Sequence, residues 1–224
     1  MNPDFGSSRR KMVDGQLRTS DVNTAAILDA MDEVPREAFV GAARKSLAYI
    51  DEDIEVAPAS SSSPARFLME PAPFARMLQL ADIGRGDFVL DIGCASGYSA
   101  AVISRIAGSV IALESDAALG DLAGSVLSSL GYDNVVVVEA PLALGYAAEA
   151  PYDVIVLEGA VDIIPAALFE QLREGGRLVA VEGRGNAGVA RVYLKAGGTV
   201  SGRRGFNAAV KPLPGFEKTP AFEF

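Results

Sequence analysis

The chain has 224 residues and a net charge of −9, and 50% of its residues are hydrophobic. This composition supports a large buried core and excludes a wholly disordered chain. The acidic balance argues against tight binding of nucleic-acid phosphates, which requires clustered lysine and arginine. With one cysteine and no histidine, the chain offers neither an internal disulfide nor a Ser-His-Asp triad, and we expect no metal site.

The polar start of the sequence and the shortness of its apolar runs predict a soluble protein. The polar start, residues 1–4, lacks the apolar stretch of a signal peptide. No apolar run reaches the length of about 18 residues that a membrane-spanning helix needs. We therefore expect a cytoplasmic protein that does not bind membranes.

The first part of the chain, residues 1–70, is predicted to be a helical extension followed by a loop on the substrate side. Residues 1–11 are polar and predict a loose or docking arm, and Asp21 is the expected N-cap of a helix that ends near Glu33. The residues around Pro58 predict irregular structure. The serine-rich segment 59–64 has no packing signal, so we expect it to be mobile.

The second part, residues 71–224, alternates between strand and helix patterns. This alternation predicts a Rossmann-like α/β fold, with a mostly parallel seven-stranded sheet and right-handed crossovers. Two runs joined by Gly197 and Gly198 predict a C-terminal antiparallel hairpin. A helix is expected to open near Pro71. The predicted strands are 88–92, 109–114, 134–138, 153–157 and 177–182, the hairpin arms are 189–194 and 200–210, and the helices between strands are 97–107, 116–130 and 165–173.

The turn after the first of these strands carries small residues at alternate positions. Asp91 ends the strand and is followed by Gly93, Ala95 and Gly97. A dinucleotide-binding loop requires a small residue where this chain has Tyr98, so that cofactor fits poorly. The spacing instead resembles the S-adenosylmethionine loop of class I methyltransferases. Six residues of this segment form the predicted cofactor loop: Asp91, Gly93, Cys94, Ala95, Gly97 and Tyr98.

Each acidic residue near this loop has an expected role. Asp91 is predicted to hold the turn or to contact a cationic amino group, directly or through water. Glu114 ends the next strand and is placed to accept hydrogen bonds from ribose hydroxyls. Cys94 is expected to be a small neutral filler, because no base stands near it in the sequence. Alternatively, Gly93 and Gly97 only permit a tight turn that Asp91 caps.

Beyond the loop, the chain resembles the protein-L-isoaspartate O-methyltransferase family along most of its length. The similar segments are 12–18, 30–40, 48–51, 89–102, 150–153 and 171–179. The N-terminal segments discriminate best, because the general fold does not require them. The resemblance implies methyl transfer from S-adenosylmethionine to the free carboxylate of isoaspartyl residues in damaged protein. Such a nucleophile is already ionised at neutral pH and needs no histidine base.

The chain departs from the family pattern on the acceptor side. Family members carry a Thr-Ile-Ser-x-Pro segment whose serine hydroxyl contacts the substrate carboxylate, and Pro71 matches its proline. Met69 then occupies the serine position, and a thioether cannot donate a hydrogen bond. Glu70 adds a negative charge beside it. A serine reaching in from the serine-rich loop 59–64 is one replacement. A different protein or small-molecule acceptor, or loss of catalysis, are the alternatives.

A second departure lies at the end of the third strand of the sheet. The family carries an aspartate there that contacts the adenine amino group, and Pro141 matches its position. We therefore expect Glu139, Ala140 and Pro141 to form the adenine side of the site. The loss of one such hydrogen bond weakens binding by about tenfold without abolishing it.

Overall fold

A computed structural model describes residues 4–61 and 63–218. The six α-helices of this part of the chain are α1 (Phe5–Met12), α2 (Ala25–Glu33), α3 (Pro71–Ala81), α4 (Tyr98–Ile106), α5 (Ala117–Ser129) and α6 (Ala166–Glu170). The strands are β1 (Ile54–Ala57), β2 (Arg66–Leu68), β3 (Phe88–Ile92), β4 (Ser109–Glu114), β5 (Val135–Glu139), β6 (Tyr152–Val161), β7 (Leu172–Glu182), β8 (Val189–Ala196) and β9 (Thr199–Asn207). A π-helical turn, Val13–Leu17, follows α1, and short 3-10 turns include Arg36–Phe39 and Ala42–Leu47.

The strands form a seven-stranded sheet in the order β5-β4-β3-β6-β7-β8-β9. Strands β3 to β7 pair in parallel, whereas β8 pairs antiparallel to both β7 and β9. The predicted Rossmann-like fold with its C-terminal hairpin is therefore confirmed. A separate antiparallel pair, β1-β2, lies outside this sheet.

Side chains that alternate along the central strands pack on opposite faces of the sheet. Val89, Val154 and Val179 belong to the core that also buries the N-terminal extension and α3. Leu90 and Ile155 face the other core, which closes against α6. Because both faces are covered, the central strands are almost continuously apolar, as parallel strands require.

The register of the parallel strands places the predicted cofactor residues at one edge. Ile92 at the end of β3 pairs with Leu113 of β4 and with Leu157 of β6. Glu114 pairs with Glu139 at the end of β5. The carboxyl ends of these strands therefore form a common rim, which is where open α/β sheets bind ligands.

Two expectations for the N-terminus are wrong. Residues 5–11 are not a loose arm but part of α1, which Asp4 caps by accepting a hydrogen bond from the Ser7 N–H at 3.0 Å. Asp21 is not an N-cap, because its φ of 63° is left-handed and α2 begins only at Ala25. The polar composition of the first helix concealed it, since Met12 is its one buried side chain.

The region around residue 58 is more regular than expected. Ile54–Ala57 forms β1 and pairs with β2 across the serine-rich loop. Within that loop, Ser62 lies outside the described residues, as do residues 1–3 and 219–224. Elsewhere β6 and β7 are longer than predicted and α6 is shorter, while the bounds of β3 and β4 match the prediction. Among the described helices, none has the length and apolar character needed to cross a membrane.

Candidate functional site

The loop between β3 and α4 is held by backbone hydrogen bonds, both to strand β4 and within the loop. The Gly93 N–H donates to the Leu113 carbonyl at 2.8 Å, and the Gly97 N–H donates to the Cys94 carbonyl at 2.8 Å. Gly93, Ala95 and Gly97 all have left-handed φ values, of 87°, 50° and 95°. Only glycine adopts such values readily, which explains the glycines at both ends of the turn.

Asp91 is fully buried at the base of this loop. Its Oδ2 accepts a hydrogen bond from the Ser99 hydroxyl at 2.7 Å, while Oδ1 has no partner among the described residues. Burial raises the pKa of Asp91 above its ordinary value, and the charge of Glu114 raises it further. An unpaired buried oxygen of this kind favours a cationic ligand group beside it.

Glu114 is also fully buried, but its carboxylate is already occupied. Oε2 accepts from the Ala95 N–H at 2.9 Å, and Oε1 accepts from the Ser115 N–H at 2.7 Å. The Arg66 guanidinium from β2 donates to both carboxylate oxygens, with Nη2 at 2.9 Å from Oε2 and Nη1 hydrogen-bonded to Oε1. Arg66 also donates to the Gly93 carbonyl at 3.2 Å, which ties the pair to the loop.

The adenine-side residues lie at the rim as expected from their positions. The Ala140 N–H donates to the Glu114 carbonyl at 3.1 Å, which fixes the end of β5 beside β4. Glu139 and Pro141 are exposed. These three residues border Glu114 on the side away from β3, and their contact with adenine stays a prediction.

A small cavity of about 10 Å³ lies between the loop and the segment before α3. That volume holds roughly one water molecule. An open cavity of about 800 Å³ runs along α1, but none of the predicted cofactor or acceptor residues lines it, so size alone does not locate the site. The residues that line the small cavity are Phe67, Leu68, Met69, Phe74, Gly93, Cys94, Ala95, Tyr98, Ser99 and Glu158.

Of the two predicted acceptor-side residues, Met69 lines the small cavity and Glu70 does not. Met69 is buried and lines the cavity, and its carbonyl accepts from Arg36 Nη2 at 2.7 Å. Glu70 does not line it. The Glu70 N–H donates to Asp53 at 2.9 Å, and burial together with the nearby Asp53 raises the pKa of Glu70 to about 7.

Cys94 and Tyr98 of the loop also line the cavity, and their side chains pack there. Burial raises the pKa of the Cys94 thiol well above its ordinary value, so the thiol is neutral and a poor nucleophile. Tyr98 packs against Phe39 and Phe74, and the Arg36 guanidinium stacks over its ring at 4.5 Å. Tyr98 therefore joins the loop to the N-terminal extension.

Sequence reasoning missed Glu158. This residue follows Leu157 in β6, directly beside β3, and it lines the same cavity as Met69. Its Oε1 is buried and has no hydrogen-bond partner among the described residues. Burial, and then the charge of Asp91, raise the pKa of Glu158 well above its ordinary value. The signal that identified Glu114, an acidic residue at the carboxyl end of a central strand, applies equally to Glu158.

The residues at this rim have the chemical character that S-adenosylmethionine requires of its binding site. Asp91 offers a cationic amino group an oxygen that no other described residue contacts by a hydrogen bond, and the loop of small residues allows close approach by a ligand. Glu114 has the acceptor chemistry that ribose hydroxyls require, but Arg66 holds both of its oxygens. Ribose binding at Glu114 therefore requires Arg66 to move aside.

The sheet order, the glycine loop after β3 and the acidic end of β4 together define the class I methyltransferase fold. A family model described as Protein-L-isoaspartate(D-aspartate) O-methyltransferase (PCMT) matches residues 7–214. A protein-L-isoaspartate O-methyltransferase of Koribacter versatilis (strain Ellin345) is 39% identical over 175 residues, which are 78% of this chain and 76% of the relative. The chain belongs to the protein-L-isoaspartate O-methyltransferase family.

Solved structures agree with this fold. One, a protein-L-isoaspartate O-methyltransferase, superposes with a TM-score of 0.80 at 26% identity, over 92% of this chain and 66% of that one. Another, from Plasmodium falciparum, is titled a putative member of the same family in complex with S-adenosyl-L-homocysteine. It superposes with a TM-score of 0.75 at 18% identity, over 92% of this chain and 97% of that one. The N-terminal extension is therefore part of the shared fold.

Proposed function

We propose that the chain transfers a methyl group from S-adenosylmethionine to the free carboxylate of isoaspartyl residues in proteins or peptides. The family match over residues 7–214 carries this proposal. The glycine loop and the unpaired oxygen of Asp91 support it, because they suit a cofactor with a cationic end. As a cytoplasmic enzyme that binds neither membranes nor nucleic acid, it would act on soluble damaged protein.

The proposed reaction does not require a side chain of the protein to transfer a proton. When bound, S-adenosylmethionine supplies a methyl carbon whose bond to sulfur breaks as an acceptor oxygen bonds to it, leaving a neutral thioether. The acceptor carboxylate is ionised at neutral pH, so no side chain has to remove a proton from it. The chain's residues orient the two reactants and exclude water. A chain without histidine is suited to that task.

The six loop residues from Asp91 to Tyr98, together with Glu114, form the proposed cofactor side. Glu139, Ala140 and Pro141 form the proposed adenine side. Met69 and Glu70 mark the proposed acceptor side.

A second candidate keeps the cofactor and changes the acceptor. Met69 favours it, because the thioether that lines the cavity cannot donate a hydrogen bond to a carboxylate. This candidate takes another protein site or a small molecule as the methyl acceptor.

An assay with labelled S-adenosylmethionine separates the two candidates. The wild-type chain is incubated with an isoaspartyl peptide and with the matched aspartyl peptide. We expect a base-labile methyl ester on the isoaspartyl peptide alone. Cofactor binding without that ester would reject the isoaspartyl acceptor and favour the second candidate.

A further inference from the structure

The acceptor side of the cavity lacks the hydroxyl donor of the family but contains another group able to donate. Glu158 and Met69 line the same cavity, so a carboxyl group and the substituted position face one small space. Oε1 of Glu158 is buried and has no hydrogen-bond partner in the described part of the chain. A buried carboxyl oxygen without a donor nearby is unfavourable when ionised, and the protonated acid is the form that carries an O–H.

The surroundings of Glu158 favour that neutral form. The titratable and charged groups that face it are Asp91 from β3, Arg36 from the N-terminal extension, and Cys94 and Tyr98 from the loop. Burial, and then the charge of Asp91, raise the pKa of Glu158, and Arg36 opposes them but does not reverse the shift. A carboxylic acid kept neutral by an apolar site is an effective hydrogen-bond donor to an anionic ligand.

We propose that the carboxyl group of Glu158 binds the acceptor carboxylate by donating the hydrogen bond that the serine hydroxyl donates in other family members. This inference rests on the proposed function, and it makes Glu158 a substrate-binding residue. The proton stays on Glu158 throughout, because the methyl group goes to an acceptor oxygen that is already ionised. The replacement of serine by Met69 is then compensated from β6 instead of from the segment before α3, and the cavity of about 10 Å³ has to widen to admit the acceptor carboxylate.

The test compares three variants that differ in their hydrogen-bond donors. Glu158→Leu removes the donor, Glu158→Gln keeps one as an amide N–H, and Met69→Ser with Glu158→Leu restores a hydroxyl at the family position. Removal of an unpartnered buried carboxyl is not expected to unfold the chain, and thermal melting checks this. Glu149→Ala, at an exposed acidic residue, is the matched control.

Two readouts are measured with one isoaspartyl peptide: its dissociation constant by calorimetry in the presence of S-adenosylhomocysteine, and the KM and kcat for methyl ester formation. We expect Glu158→Leu to raise the dissociation constant and KM about tenfold, the effect of losing one hydrogen bond to a charged group. Glu158→Gln and the double variant should lie within about threefold of the wild type.

The outcomes separate this role from the proposed function. If the wild type forms ester and Glu158→Leu binds the peptide equally well, the role of Glu158 is rejected and the proposed function stands. Equal losses in Glu158→Leu and Glu158→Gln would also reject it, because a donor would then not be what matters. If the wild type forms no ester with this peptide, the proposed function fails and the role fails with it.

Discussion

Replacing Arg66 with methionine is expected to tighten the binding of S-adenosylmethionine by about tenfold. The Arg66 guanidinium donates to both oxygens of Glu114, the same oxygens that ribose hydroxyls need. Methionine keeps much of the side-chain volume but donates nothing, so the acceptor positions that Arg66 occupies on the two Glu114 oxygens become available to ribose. Calorimetric titration of the wild type and the variant measures the change.

The same substitution is expected to lower the free energy of unfolding of the cofactor-free chain by about 3 kcal/mol. Both side chains of the pair are almost fully buried, at 6% and 0% exposure, and loss of one partner leaves the other charge uncompensated. Bound cofactor should recover part of this stability. Arg184→Met is the matched control, because its ion pair with Asp162 lies at the surface and should affect neither quantity appreciably. Unchanged or weaker cofactor binding in Arg66→Met would show that Arg66 does not compete with ribose.

Replacing Arg36 with methionine is expected to destabilise the chain by about 3 kcal/mol. Arg36 is fully buried and donates to the carbonyls of Ala48 at 2.9 Å and Met69 at 2.7 Å. Methionine leaves both buried carbonyls without these donors and removes the stacking over Tyr98. Chemical denaturation of both proteins measures the difference.

Two control variants separate the effect of the guanidinium geometry of Arg36 from the effect of its charge. Arg36→Lys keeps the charge but loses the planar fork that reaches two carbonyls, so it should be nearly as unstable as Arg36→Met. Arg10→Met, on the exposed surface of α1, should behave like the wild type. A stable Arg36→Met variant would mean that the hydrogen bonds from Arg36 to the Ala48 and Met69 carbonyls contribute little to the stability of the chain.

The sequence predicted best what local patterns determine. The strand from Phe88 to Ile92 and the one from Ser109 to Glu114 are recognisable because each is a short apolar run with a polar or glycine boundary. The loop between them follows from its glycines, whose left-handed φ values restrict the choice of residue. From these features the sequence predicts that Asp91 and Glu114 lie at the same rim of the sheet.

Features that depend on distant parts of the chain were not predictable in this way. Arg66 is separated from Glu114 by 48 residues, and nothing near Arg66 in the sequence indicates a buried partner. Strand β1 was not predicted, because the acidic residues Asp51, Glu52 and Asp53 precede it and its own composition does not indicate a strand. Its pairing with β2 is what stabilises it as a strand. Glu158 was accessible to the same reasoning as Glu114, but the strand that carries it extends beyond its predicted end at residue 157.

The central claim is that the loop from Asp91 to Tyr98 and Glu114 bind S-adenosylmethionine. Calorimetric titration tests it most directly, with the wild type beside a double variant, Arg66→Leu with Glu114→Leu, which removes the ribose acceptor without leaving a buried charge unpaired. We expect saturable binding in the micromolar range for the wild type and no detectable binding for a folded double variant. Absence of saturable heat in the wild type, or equal binding by both proteins, would contradict the claim.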